Sequence, residues 1–388
     1  MKRSVWYLSI GTFAIGTDTF VIAGVLPTIA EDLHTSVGQT GQLITVYALS
    51  LGVLAPILGT LTAQRPRKQL LLWALMLFGL GNAFSALAPT FELLLLSRVV
   101  AGAGAALYTP TAAAAAVSMV SEAERGRALA TVLGGATVAT VMGVPLATLI
   151  GVEWDWRAAF GAVCAVAVVA ALTLAITLPH PPVLPVPTLR ERLRLLRDRR
   201  ILPIIVTTFL FFAGGFAVYT YVAVVLDVDH VHLVLALLVF GVAGVCGNYL
   251  GGWATDRFGP QVVLLWGLAA FAAALALLPA AHGHYGAELI VLAMWALAAW
   301  TLTVPQQHRL IATVPQLAQV AVGLNSAAVF IGIGLAGSIG AWGISLVGTD
   351  QLPYLGSAIV VVALLVAAGQ IRLSEQRTSN ESAGLSPS

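Results

Sequence analysis

Charge is what this chain has least of. Only 9% of its 388 residues are Asp, Glu, Lys or Arg, while 59% are hydrophobic. That balance excludes a soluble globular protein of this length, whose surface would need far more charge to stay in water. Cysteine is nearly absent as well. Cys164 and Cys246 fall in different apolar stretches, which argues against a disulfide, and two isolated thiols cannot complete a zinc shell. A net charge of +2 without any basic-aromatic surface pattern gives no reason to expect nucleic acid as a partner. All seven histidines (34, 180, 230, 232, 282, 284 and 308) are read as loop or linker residues. That leaves no imidazole relay through an apolar interior, and the His282 and His284 pair reads as solvated. No metal site and no organic cofactor are expected.

What the chain has in quantity is apolar length. Twelve spans can be drawn, at about 5–30, 38–62, 69–88, 91–119, 125–151, 157–178, 202–226, 231–254, 261–281, 286–304, 317–346 and 352–371. Each is long enough to cross a bilayer as a helix, and backbone polarity permits little else there. The class is an all-α, multi-pass membrane protein. Lys2 and Arg3 before the first run imitate a secretory leader. The run is too long for one, carries Asp18 and ends in Glu31-Asp32 without a cleavage site. Basic residues set the expected orientation. With a cytoplasmic N-terminus, all 19 Lys and Arg except Arg98 and Arg157 lie on the cytoplasmic side, while acids such as Glu31, Asp32, Glu153, Asp155, Asp227, Asp229 and Asp350 mark the outer loops. Both termini are then inside a cell (plasma or inner) membrane.

A polar break divides the chain. Pro179 to Pro187 is proline-rich, and Leu189 to Arg200 holds six arginines with leucines at helical spacing. This reads as an amphipathic linker on the membrane surface. The expected organisation is a six-helix half at 1–178, a cytoplasmic linker at 179–200, a second half at 201–372 and a disordered cytoplasmic tail at 373–388. The halves also echo one another. Gly59 to Lys68 follows the second span and Gly252 to Gln261 follows the eighth, 193 residues later. Such a repeat implies a pseudo-two-fold axis along the membrane normal, with a site between the halves at mid-depth.

These residues resemble the major facilitator superfamily along the whole chain. Its Gly-x-x-x-Asp-Arg-x-Gly loop is intact in the second copy, as Gly252, Asp256, Arg257 and Gly259. The first copy keeps Gly59, Arg67 and Lys68 but has Ala63 in place of the acid and Pro66 in place of the glycine. The resemblance implies a cytoplasmic gate at these residues, with its acid missing from the first half. Leu96-Ser97-Arg98 with Gly102 and Gly104 is similar to the fourth-helix arginine motif associated with proton coupling. Gly134, Gly135, Gly143, Val144, Pro145 and Gly151 are similar to the fifth-helix antiporter motif, with Val144 interrupting its Gly-Pro. Trp156-Arg157-Ala-Ala-Phe160 opens the sixth span as in many drug exporters. Together these resemble the twelve-helix drug:proton antiporter branch, the chloramphenicol-resistance and arabinose-efflux-like exporters. The resemblance implies no enzyme, and a seal against proton leak at Gly135, Gly143, Pro145 and Gly151.

Two charged residues stand out inside the spans. Asp18 lies about 20 Å along the helix from either end of its run. A carboxylate at that depth costs about 2.5–3.5 kcal/mol on insertion scales, so it is usually present for a function. It could carry the coupling proton, or it could be satisfied by Thr17 or Thr19 and hold helices together. Arg98 sits about 10 Å outward of it by helical rise. It pairs with Asp18 only if its side chain reaches inward; otherwise it snorkels to the interface. A lining for the substrate cavity is read from Tyr47, Tyr108, Phe212, Phe216, Tyr219, Asn248, Trp295 and Asn325. Stacking and a few hydrogen bonds would suit an uncharged or aromatic solute. The expectation is a monomeric, proton-coupled exporter of small organic molecules, a drug or chloramphenicol-like antibiotic. Efflux of a sugar or metabolite is the alternative, and a membrane receptor or sensor is a third. Protons would be the coupling ion, and the bilayer and a small organic substrate the partners.

Overall fold

The computed structural model describes residues 3–182 and 194–384. Among them twelve helices are long and apolar enough to span a membrane. They are α1 (Ser4–Asp32), α2 (Val37–Leu61), α3 (Arg67–Ala86), α4 (Phe91–Ser118), α5 (Glu122–Glu153) and α6 (Trp156–Thr177) in the first half. The second half holds α7 (Leu202–Tyr219), α8 (His230–Phe258), α9 (Pro260–Ala281), α10 (Tyr285–Thr313), α11 (Pro315–Val347) and α12 (Leu352–Leu373). No strand occurs among the described residues. Of the amphipathic linker expected at 189–200, residues 189–193 lie outside the described residues; 194–196 are helical, and Leu195 is buried in the termini-side core of the second half.

Local chemistry ends the helices where the polar residues are. Thr90, Asp155 and Asp229 accept backbone N–H groups at the starts of α4, α6 and α8, satisfying donors that a helix leaves free. Gly259 turns the chain between α8 and α9 at φ +84°, a conformation that suits glycine. Three boundaries differ from the sequence reading. The span expected at 202–226 stops at Tyr219 and resumes as a short helix, Val222–Leu226. Tyr221 interrupts it by turning its hydroxyl to the Gly337 carbonyl, 2.6 Å away. The tenth span bends near Leu302 and continues as a polar helix, Thr303–Thr313. The last helix runs on to Gly384, where a disordered tail was expected from 373. Between Gly369 and Gly384 no proline or glycine stops it. Nor are all histidines in loops: His230 and His232 open α8, and His308 sits exposed on the polar end of α10.

Packing repeats between the halves. Within the first, α1 packs on α5 and α6, α3 on α4 and α6, and α2 on α4. Within the second, α7 packs on α11 and α12, α9 on α10 and α12, and α8 on α10. Each pair returns six helices later. The halves meet through α2 with α11 and α5 with α8, contacts that the same shift exchanges.

Those meetings are not spread evenly with depth. A single buried apolar cluster joins both halves at the end opposite the termini, bringing Ile22, Leu26 and Leu43 together with Val218, Tyr221 and Ile333. At the termini end the core is split in two. One cluster around Leu8, Leu70 and Leu174 belongs to the first half, and another around Ile204, Leu310 and Val320 belongs to the second. The halves are therefore closed at the far end and separate towards the termini.

Candidate functional site

Between the halves lies a cavity of about 260 Å³. An engineered apolar cavity of about 150 Å³ accommodates benzene, so this one has room for a molecule of one or two rings. Its wall takes Thr12, Ile15, Gly16, Thr19 and Phe20 from α1, and Leu133, Ala136, Thr137 and Thr140 from α5. The second half supplies Phe212, Asn248, Trp300 and Phe330, among others. Among the described residues no charged side chain is on the wall. Polar groups there are threonine hydroxyls, one amide and the Trp300 indole N–H.

Behind that wall, on the other face of α1, is a buried polar group. Asp18 and Arg98 are both fully buried and pair at 2.9 Å, Nη1 donating to Oδ1. The Arg98 side chain thus reaches inward, as its depth on α4 requires. Asn82 of α3 donates to the other oxygen, Oδ2, at 3.3 Å, and to the Phe78 carbonyl at 3.1 Å. The guanidinium lies 4.4 Å from the Tyr47 ring centre and 5.2 Å from that of Phe160, an arrangement that holds a cation on aromatic faces. Thr17 and Thr19 do not satisfy Asp18. Their hydroxyls donate to carbonyls one turn back, Phe13 and Ile15.

The glycine stripe of α5 fixes this helix in place. Gly135, Gly143 and Gly151 all face α1, with the π-helical turn at Ala139–Gly143 between the first and the last of them. A Cβ on each would lie 2.2 Å from the Ser9 carbonyl, 2.1 Å from Thr17 Oγ1 and 2.5 Å from Val25 Cγ1. The stripe therefore seats α1 against α5 rather than facing the second half. Between Gly135 and the buried Pro145, residues Ala139–Gly143 form a π-helical turn. At that turn Gly241 of α8 meets the Thr140 carbonyl, 2.3 Å from where its Cβ would be.

An aromatic wall continues from the cavity into the second half. Phe20 of α1 stacks on Phe216 at 5.6 Å and meets Tyr219 edge-on at 6.0 Å, across the two halves. Phe212, Tyr219, Phe240 and Trp295 extend the cluster. Of the lining read from sequence, Phe212 and Asn248 are on the cavity wall, and Phe216, Tyr219 and Trp295 stand behind it. Tyr47, Tyr108 and Asn325 are not on it, which corrects the reading. Tyr47 is spent on Arg98; Tyr108 donates to the Leu8 carbonyl and packs over Gly11. Asn325 is buried in the termini-side core of the second half. Asn82 and Phe20 were missed, and Phe160 was read only as part of the opening of the sixth span. A lone amide inside an apolar span was a legible signal for Asn82; Phe20 carried none.

At the termini end the gate residues are apart. Asp256 and Arg257 are exposed and form no ion pair among the described residues. The Arg257 guanidinium lies about 6 Å from the Trp253 and Phe258 rings. Gly59 and Gly252 have open space where a Cβ would point, whereas Arg67 is buried at the start of α3 and Lys68 half-buried beside it.

Residues 8–336 match the model of the Major Facilitator Superfamily. The uncharacterised MFS-type transporter YbcL of Bacillus subtilis is 31% identical over 369 residues, covering 94% of each chain. The inner membrane transport protein YdhP of Escherichia coli is 31% identical, over 92% of this chain and 93% of its own. A chloramphenicol resistance protein of Streptomyces lividans is 34% identical over 69% of this chain and 70% of its own. Among solved structures, a D-xylose-proton symporter has the same fold, with a TM-score of 0.75 at 17% identity over 94% of this chain and 96% of that one. So does a bacterial homologue of the human lysosomal transporter Spinster, in an inward-facing and unoccupied conformation, at 0.76 and 18% over 96% of each. The chain belongs to the Major Facilitator Superfamily and is a multi-pass membrane transporter, not an enzyme.

Proposed function

We propose that this transporter exports small, uncharged, aromatic-bearing organic molecules in exchange for protons. The observation that carries the reading is the division of α1 into two faces. One face lines an uncharged cavity between the halves, and the other holds Asp18 in a sealed ion pair. Substrate and proton would then bias the same inward–outward equilibrium through one helix, each by its different affinity for the two states. A sugar would demand many directional hydrogen bonds, and the threonines, single amide and indole of the wall offer few, which disfavours the alternative of sugar efflux. The relative that confers chloramphenicol resistance supports a neutral aromatic substrate. Basic residues concentrated at the termini end support cytoplasmic termini, so the cavity described here faces inward. One chain builds the whole cavity, which supports a monomer as the working unit.

A resistance and uptake panel in a host without its own pumps tests the reading. Wild type should raise tolerance to chloramphenicol or similar neutral aromatics, and Asp18→Asn should abolish the gain. Export that ignores the proton gradient, or full coupling in Asp18→Asn, would overturn it.

A further inference from the structure

The Asp18 site has an imbalance that the ion pair alone does not explain. Asn82 is fully buried and makes two hydrogen bonds through Nδ2, both to acceptors, while its own carbonyl oxygen Oδ1 has no partner. Arg98 Nε and Nη2 in the same group also lack partners. The buried site thus holds both donors and an acceptor that its ionised form does not use, and such orphans are costly. The chemistry of the site changes when Asp18 takes a proton. The carboxylate, an acceptor only, becomes a group with an O–H to donate. A side-chain amide offers both N–H donors and a carbonyl acceptor, so it can serve either form of the acid. Rotated about its last torsion, Asn82 would accept from the acid with the oxygen that now stands idle.

With Asp18 read as the proton carrier, as proposed above, we infer that Asn82 is the positioning residue that sets its protonation equilibrium. As donor through Nδ2 it stabilises the carboxylate; as acceptor through Oδ1 it receives the acid. Arg98 stays in place in both states because the Tyr47 and Phe160 rings cradle its guanidinium when the carboxylate is neutralised. The groups facing Asp18 are the Arg98 guanidinium from α4, the Asn82 amide from α3 and, within electrostatic reach, the Tyr47 hydroxyl from α2. Among the described residues no titratable group of α5 or α6 faces it. Asn82 is, among the described residues, the uncharged side chain that donates to the carboxylate, with the Tyr47 hydroxyl close to it, and Asn82 is not on the cavity wall.

The test needs no substrate. Infrared difference spectra of the purified protein, recorded across pH, report the carbonyl band of a protonated carboxylic acid. Loss of that band in Asp18→Asn assigns it. Asn82→Leu and Asn82→Ala lose both bonds, but the bond to the ionised carboxylate is the stronger. The charged form therefore loses more, and the titration midpoint should move upward by about one pH unit, a roughly tenfold gain in proton affinity. Asn82→Ser keeps a donor and an acceptor and should move it much less. A merely structural role for Asn82 would lower thermal stability in all three without ordering their midpoints this way. Midpoints in the Leu and Ala variants equal to wild type would overturn the inference while leaving Asp18 as the carrier. A titrating band that survives Asp18→Asn would instead overturn the reading of Asp18.

Discussion

The two halves share a backbone plan and divide the chemistry. The 193-residue offset that relates Gly59 to Gly252 carries Asp18 to Phe211, Asn82 to Leu275, Arg98 to Val291 and Tyr47 to Phe240. Every member of the buried polar group has an apolar counterpart. In its place the second half has an aromatic cluster of Phe211, Phe216, Tyr219, Phe240, Phe271 and Trp295. A repeated fold does not require a repeated site. The packing pairs are kept because glycine stripes and apolar faces specify them, while the mid-depth residues are free to diverge. One half can then hold the charge and the other shape the wall that meets a neutral solute.

The largest expected effect comes from breaking the charged side of this comparison. Arg98→Leu leaves the buried Asp18 without its cation; breaking a buried pair in this way costs about 3–5 kcal/mol. The variant should show a sharply lower denaturation temperature in detergent. The double variant Asp18→Leu with Arg98→Leu should recover most of that stability, as the apolar second half implies, yet stay inactive in the resistance assay. A double variant no more stable than Arg98→Leu would show that the pair is not the reason for the loss.

A smaller effect is expected on the aromatic side. Phe216→Ala removes the ring that stacks on Phe20 across the halves. Such contacts are worth about 0.5–1.5 kcal/mol, so tolerance to an aromatic substrate should fall roughly two- to tenfold. The pH dependence of export should not move, because Asp18 is on the other face of α1. Smallest of all is Asp229, at the exposed start of α8. The His232 backbone N–H and ring, then the Val231 N–H, hold its carboxyl below the ordinary carboxylate range. That contribution is present above the ordinary carboxylate range and lost as pH falls through the lowered value. Asp229→Ala should therefore lower thermal stability slightly at neutral pH, and the difference from wild type should shrink as pH falls below the ordinary carboxylate range, read by the same melts.

Much of the architecture was legible in the residues. Twelve apolar runs, the bias of arginines and the repeated Gly59 and Gly252 loops follow from bilayer thickness and charge alone, and the helices stand where those signals put them. Asp18 was legible too, since a lone mid-depth acid announces itself by its cost. Its partners were harder. Helical rise put Arg98 about 10 Å outward and left its pairing open, because rise describes backbones and an arginine side chain can span the difference. The aromatics were the poorest guide. Tyr47, Tyr108 and Asn325 have the right chemistry for a cavity, but helix rotation turns them into the core.

What the sequence by itself determined is therefore composition-driven: the number of spans, their approximate ends and the lone carboxylate at mid-depth. Solvent partitioning decides those, and each can be read one segment at a time. Only the tertiary structure decided which face of α1 meets the cavity, that Asn82 holds the second oxygen of Asp18, and that the halves close at one end. Those depend on how helices rotate and pack against partners far away in the chain, and glycines 135, 143 and 241 set that packing through distances of closest approach that no single segment contains.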